Sequence, residues 1–311
     1  LGTHLGIVVL ALLLSVTGGA LVLACPNFGG TLRTASLGVG VLLLAGAWWR
    51  APVDVNASPN AGYIPKDHRV ISYREGVEGT VAVSEPEGVD DGSDRVLWIN
   101  RVQATAAIEK GVKMNRLQGV LPLLFDRDPQ EVLFMCFGSG ITCGTLALSD
   151  FAHIDAVEIS QDVLDSAPLF SVDNLGVIDD AKVQFHIDDG RNFLLTTDKL
   201  YDVITFEPMP LALAGVSTFY TQEYYELCLA HLAPGGIVSQ WVPLHSLTPE
   251  VVRALVRTFT SVFPEYNAWF INADLFLVGS DTPLRVDYAG VVRRLKSPVL
   301  MAALAKVEGV Y

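Results

Sequence analysis

The chain has few cysteines, few basic residues and little charge for its size. Its 311 residues include four cysteines, Cys25, Cys136, Cys143 and Cys228. They form no close pair and no metal-ligand spacing, which excludes a disulfide scaffold and a cysteine zinc site and points to reduced thiols. Lys and Arg number 21 against 34 Asp and Glu, for a formal net charge of -13. Proteins that hold nucleic acid need a basic face for its phosphates, so that partner is excluded. A negative balance is compatible with a small cationic partner. The sequence has no internal repeat and no G-x-G-x-x-G, which argues against a nicotinamide cofactor. Charged residues are only 18% of the chain and hydrophobic residues 50%, so part of it is expected to lie in a membrane.

That part is the N-terminus. Residues 5–24 are an uncharged run long enough to cross a bilayer as a helix. A signal peptide is the alternative, but a basic start is missing. A second, shorter run covers residues 34–49, with Arg33 before it and the interfacial trio Trp48, Trp49 and Arg50 at its end. Pro26, Gly29 and Gly30 lie between. The pattern predicts a transmembrane helical hairpin over residues 1–50 and a linker over 51–62. Arg50, Lys66, Arg69 and Arg74 follow the second run and place the remaining domain on the cytoplasmic side. A hairpin buried inside a soluble protein is the competing structure.

Beyond the linker, strand-like runs at 69–73, 79–83 and 95–100 predict a small antiparallel β unit over 63–105. The remainder, 106–311, alternates strands and helices. Strands are expected near 131–136, 153–158, 182–187, 201–206, 235–241, 265–270 and 274–279. Helices are expected near 113–124, 141–149, 160–168, 190–196, 219–232, 248–262 and 287–308. The last two strands have only residues 272–274 between them and should form an edge hairpin. Five strands with helical crossovers and an edge hairpin is the layout of the class I S-adenosylmethionine methyltransferase-like, Rossmann-like α/β fold.

The stretch 131–144, EVLFMCFGSGITCG, centres this domain. Val132, Leu133, Phe134 and Met135 are the continuous apolar run of a parallel strand covered on both faces. Gly138, Gly140 and Gly144 then allow a tight turn and the close approach of a ligand. Glu158 ends the next strand, at the distance where an acid grips a ribose diol. Asp188-Asp189-Gly190 follows the third strand. Asp189 either accepts from an adenine amino group or caps the helix at Gly190, and one residue can do both. The fourth strand delivers Glu207 at its C-terminal end, where ligands of open sheets sit. Glu207 is either a carboxylate at the reacting centre or a solvated loop residue.

These pieces resemble the spermidine synthase-like proteins, in particular the bacterial branch with membrane helices before the synthase domain. The resemblance spans about residues 69–280 and is carried by Ser72-Tyr73-Arg74-Glu75-Gly76, Leu97-Trp98-Ile99-Asn100 with Gln103, and Leu121-Pro122-Leu123. The glycine turn with Glu158, Asp189-Gly190, Glu207-Pro208, Phe219-Tyr220-Thr221-Gln222-Glu223-Tyr224-Tyr225 and Gln240-Trp241-Val242-Pro243 complete it. It implies an aminopropyltransferase that moves an aminopropyl group from decarboxylated S-adenosylmethionine to a putrescine-like amine, without a metal. It implies a nucleoside held by Gln103, Gly138, Ser139, Gly140, Glu158, Asp189 and Gly190, with Glu207 as the catalytic acid-base group. The chain departs from the family pattern at four positions. Cys136 stands for a glycine, Ser139 for an aspartate, Met114 for an amine-pocket tyrosine and Pro210 for a second aspartate. Tyr266 lies near a further tyrosine position. Two other activities compete: methyl transfer from intact S-adenosylmethionine, and non-catalytic sensing of a nucleoside or polyamine at a membrane. A homodimer is the assembly left open.

Overall fold

The computed structural model describes residues 2–24, 63–125, 129–149, 153–271, 274–286, 288–296 and 301. The N-terminal run forms helix α1, Gly2–Ala24. The membrane expectation is nevertheless overturned, because among the described residues no helix is long and apolar enough to cross a membrane. Within α1, Ser15, Thr17, Gly18 and Gly19 break the apolar run, and the Thr17 hydroxyl donates back to the carbonyl of Leu13 at 2.8 Å. The expected second membrane run and the linker lie outside the described residues, as does the end of the last expected helix. The predicted membrane location, and the cytoplasmic side assigned from it, fall with the hairpin.

Two sheets follow. The first is an antiparallel meander in the order β1-β2-β3-β4, with β1 His68–Glu75, β2 Thr80–Pro86, β3 Val96–Ile99 and β4 Val102–Ala106. The fourth strand was not expected from the sequence. Its two-residue connection is Asn100-Arg101, both at positive φ (49° and 69°), as a type I′ hairpin turn requires. Arginine in place of the usual glycine hides that signal.

Helix α2, Glu109–Val120, leads into the second sheet. Its strands are β5 Glu131–Met135, β6 His153–Glu158, β7 Val183–Ile187, β8 Tyr201–Phe206, β9 Leu232–Val242, β10 Glu265–Ile271 and β11 Asp274–Ser280. Their order is β10-β11-β9-β8-β5-β6-β7. The pairs from β7 through to β9 are parallel, and β11 runs antiparallel to β9 and β10. This is the expected methyltransferase-like sheet with its edge hairpin. Between the strands lie α3 Ile141–Ala147, α4 Gln161–Leu164, α5 Gly190–Thr196, α6 Gln222–Ala230 and α7 Pro249–Val262, and α8 Tyr288–Leu295 follows the hairpin.

Successive strand side chains point to opposite faces. On β5, Val132 and Phe134 therefore join one core with Val120, Cys143 and Leu146. Leu133 and Met135 join the other, with Phe193, Tyr224, Tyr225 and Phe259. The small sheet is tied to the large one by Arg74, which pairs with Asp165 at 3.0 Å, and by Arg95, which donates to the carbonyl of Leu169.

In the N-terminal half of β6, Asp155 is fully buried. Lys199 at 2.7 Å, His186 at 2.8 Å, His153 at 2.9 Å and the Tyr201 hydroxyl at 2.9 Å all reach its carboxylate. Burial alone would raise its pKa, but these partners bring it down to about 2. A lowered folded-state pKa gives stability that is present above the unfolded value near 3.8 and is lost as pH falls through about 2. We expect Asp155→Asn to cost on the order of 2 kcal/mol at pH 7. Urea melts of both proteins from pH 7 to pH 3 check this, with the gap narrowing below pH 4.

Candidate active site

The strand order reverses at β5, which has β6 on one side and β8 on the other. Ligands of open α/β sheets sit beyond the C-terminal strand ends at such a point. A cavity of about 690 Å³ occupies that place, walled on one side by the small sheet.

The turn after β5 is built from left-handed residues. Cys136, Gly138 and Gly140 have φ of 65°, 58° and 81°. Cys136 thus holds a backbone conformation that glycine adopts freely and a side chain resists by roughly 1–2 kcal/mol. At Gly140 an added Cβ would come within 2.4 Å of the Phe137 ring. Gly138 and Ser139 line the cavity, whereas Gly140 opens α3 behind it.

Glu158 reaches the cavity from the end of β6 and is 6% exposed. Its carboxylate accepts from the backbone N–H of Ser160 at 3.1 Å and of Gly138 at 3.3 Å. Burial pushes its pKa up, and these backbone donors pull against that. Asp189 caps α5, one oxygen accepting from the N–H groups of Arg191 and Asn192 at 3.0 Å. It lines the cavity beside Gly190, so the cap and the ligand-facing position coincide. Gln103 enters from β4 as an exposed side chain.

Glu207 follows β8 and is no solvated loop residue. Asn115 Nδ2 donates to its Oε2 at 2.7 Å, and the Thr142 hydroxyl donates to Oε1. The Thr142 hydroxyl also lies 3.0 Å from the Asn115 carbonyl. Withdrawal from water raises the Glu207 pKa from 4.5 to about 7, against these two donors. A carboxyl poised there can take or give a proton near neutrality.

Sequence reasoning missed Asn115 and Thr142. Their only signal was a polar residue in α2 next to Met114 and a threonine within the glycine turn. It also missed Asp274, read as part of a turn, which lines the cavity with Trp241 and His245. Met114 and Pro210 line the cavity too, whereas Tyr266 on β10 is half exposed and stands outside it. Six carboxylates (Glu78, Glu158, Asp188, Asp189, Glu207 and Asp274) face this space among the described residues, against one lysine, Lys110. Asn115 Oδ1 is buried without a hydrogen-bond donor. An acidic cavity with an orphaned acceptor beside its raised-pKa carboxyl fits a cationic ligand that carries N–H groups.

Residues 115–273 match the family model of the spermine/spermidine synthase domain. The chain belongs to the spermine/spermidine synthase family. Among its relatives in that family, it is 27% identical over 200 residues to polyamine aminopropyltransferase 2 of Pseudomonas aeruginosa, covering 60% of this chain and 56% of the relative. It is 30% identical over 159 residues to the spermine synthase of Arabidopsis thaliana, covering 48% of this chain and 42% of that one. The chain thus spans about half the length of the curated relatives it matches. Its fold is shared with a spermidine synthase crystallised with the transition-state analogue AdoDATO. The TM-score is 0.61 at 15% identity, over 77% of this chain and 88% of that one. The spermidine synthase of Thermotoga maritima gives a TM-score of 0.59 at 15% identity, over 77% and 87%.

The raised pKa of Glu207 has a stability consequence. An acid whose folded-state pKa lies above its unfolded value destabilises the fold progressively as pH rises from 4.5 to about 7. Glu207→Gln removes that ionisation and can keep both hydrogen bonds. Its melting temperature should exceed that of the wild type at pH 8 and converge with it at pH 4.5, as scanning fluorimetry at the two pH values will show.

Proposed function

We propose that the protein is an aminopropyltransferase, moving an aminopropyl group from decarboxylated S-adenosylmethionine to an amine. The observation that carries this proposal is Glu207, a carboxyl raised to about pKa 7 that lines the same acidic cavity as the glycine turn, Glu158 and Asp189. The family's relatives named as polyamine aminopropyltransferases support it.

In this proposal Glu158 accepts from the ribose hydroxyls, while Asp189, Gly190 and Gln103 flank the base and the turn at Gly138 and Ser139 lets the nucleoside approach the backbone. The fit rests on two observations. Gly138 and Gly140 hold left-handed φ, and a Cβ at Gly190 would press against Met135 Sδ at 3.0 Å and the Phe219 ring at 3.4 Å, so this wall stays low. The bound sulfonium supplies an electrophilic carbon and a neutral thioether leaving group.

The protein's own contribution concerns the acceptor. An alkylamine has a pKa of roughly 10, like lysine, and arrives as an ammonium that cannot attack. Glu207 attracts that ammonium and takes one of its protons, which frees the lone pair with which the nitrogen attacks the carbon beside sulfur. Asn115 and Thr142 fix the direction of the carboxylate, and Asn115 Oδ1 offers a second acceptor to the same nitrogen. The new bond is N–C, the broken bond is C–S, and the proton rests on Glu207 until water receives it.

Turnover of decarboxylated S-adenosylmethionine with a panel of amines tests this. A positioned general base typically contributes about 10²- to 10⁴-fold, and Glu207→Gln should lose that much. The wild-type kcat/KM should rise with pH through about 7, where Glu207 ionises, and the mutant should lack that limb. Equal rates for mutant and wild type would remove Glu207 from the mechanism. Consumption of intact S-adenosylmethionine with no aminopropyl transfer would make the protein a methyltransferase. Separately, Glu158→Ala should weaken binding of 5'-methylthioadenosine about ten- to hundred-fold in calorimetry, the range for hydrogen bonds to a charged group.

A further inference from the structure

Helix α2 bonds to the β8 segment at two points. Asn115 Nδ2 donates to Glu207 at 2.7 Å, and Gln118 Nε2 donates to Thr205 Oγ1 at 2.7 Å. Asn115 and Gln118 are three residues apart and share one helix face, while Thr205 and Glu207 are two apart and point to one side of the sheet. Glu207 directly follows the last residue of β8. Three helix residues rise about 4.5 Å, and two strand residues rise about 6.6 Å. Two bonds spaced in this way fix both the height of α2 over the strand and its angle. One bond alone leaves the helix free to pivot about it.

Packing does not account for Gln118. It is fully buried, on a side of the sheet whose core is built from apolar residues such as Val203, Ile237 and Val278. Its Nε2 also points to the Ser239 carbonyl at 3.4 Å. Its Oε1 and the Ser239 hydroxyl have no hydrogen-bond partner among the described residues. A buried amide that leaves such atoms unmatched costs stability. A leucine would dock the helix without that cost. What a leucine lacks is a directional bond to the strand that ends at Glu207.

The consequence extends to the second donor of Glu207. Gly119, next to Gln118, lets α2 lie directly against α3. A Cβ there would come within 2.8 Å of the Thr145 side chain and 3.0 Å of the Thr142 carbonyl. The Thr142 hydroxyl in turn reaches the Asn115 carbonyl at 3.0 Å and the Glu207 carboxylate. Both donors of Glu207 therefore ride on one helix pair, and Gln118 bonds that pair to β8.

We propose that Gln118 is a positioning residue for proton transfer: its bond to Thr205 holds α2 in the register at which Asn115 and Thr142 meet Glu207. This rests on the aminopropyl-transfer function proposed above. Gln118 is not among the residues that line the cavity, and it acts through the two donors. Those donors lower the pKa of Glu207 against its burial, so loosening them moves its ionisation to higher pH.

The test uses the full chain as wild type, Gln118→Leu, Thr205→Val, the double variant and Thr205→Ser. The pH profile of kcat/KM is measured with decarboxylated S-adenosylmethionine and the best amine of the panel. In Gln118→Leu and in Thr205→Val the limb near pH 7 should move to higher pH. At pH 7 kcat/KM should fall roughly two- to five-fold, with the ratio to wild type closing toward one by about pH 9. The double variant should match the single ones, because both remove the same bond. Thr205→Ser keeps the acceptor hydroxyl and should keep the wild-type limb. The melting temperature and the affinity for 5'-methylthioadenosine should stay close to wild type in the double variant, since replacing both partners of a buried bond by apolar groups is nearly neutral. A residue that merely docks the helix would instead lower the melting temperature and leave the limb in place. A limb that stays at the wild-type pH in the double variant, or shifts in the two single variants that add, overturns the proposal. The infrared band of the Glu207 carboxyl, identified by its loss in Glu207→Gln, reports the same ionisation without turnover. If the wild type transfers no aminopropyl group, the aminopropyl function fails, and the midpoint of that band in Gln118→Leu still decides for or against Gln118.

Discussion

The site depends on a carboxyl held out of water. Glu207 sits where β8 ends, and two helices that are far away in the chain supply its donors, Asn115 from α2 and Thr142 from α3. Neither donor is charged. A neutral pair of donors steadies the carboxylate without pulling its pKa down as a lysine or arginine would. Burial therefore dominates, and the group stays near pKa 7. The same face of α2 is fixed one turn further on by Gln118, which donates to Thr205 on β8 at 2.7 Å. Positioning of the acid and docking of the helix onto the sheet are thus a single arrangement. The Glu207 backbone N–H also points to the Met135 carbonyl at 3.4 Å, which keeps the ends of β8 and β5 side by side.

Around this group the charges are strongly one-sided. The chain as a whole carries a net charge of -13, and carboxylates outnumber basic groups at the cavity as well. Such a field attracts cations from solution and lowers the free energy of an ammonium inside. The contrast with Asp155 is instructive. That carboxylate is fully buried, yet Lys199, two histidines and Tyr201 surround it, and its pKa falls to about 2. This buried acid is saturated with donors and is structural. The acids at the cavity are undersupplied and available for a ligand.

The parts that were legible in the sequence are those with a local cause. The apolar run of β5, the glycines after it and the acid ending β6 are written within a few residues of one another, and their period and turn chemistry are specific. The parallel sheet was legible in the alternation of strands and helices, and its edge hairpin in the short connection between the last two strands. β4 was missed because its turn uses Asn100-Arg101 and its residues Gln103 and Thr105 read as polar. The environment of Glu207 was not legible because its donors lie 92 and 65 residues away in the chain. Asp274 looked like a turn residue, and only the pairing of β11 with β9 brings it to the cavity edge. The membrane hairpin was inferred from composition over residues 5–49, and no described helix bears it out.

The strand order also governs how the chain reaches this state. The meander β1 to β4 pairs only neighbours and can close as soon as it leaves the ribosome. β5 cannot: on one side its partner is β6, but on the other Val132 to Met135 must wait for Val203 to Phe206. Until then an uninterrupted apolar edge remains open, the kind of edge that pairs with the wrong strand or the wrong chain. Non-local parallel pairing of this sort is slow. The strand that carries the glycine turn is therefore the one most exposed to misassembly during synthesis, and nascent chains that stop short of β8 should be the ones most in need of a chaperone.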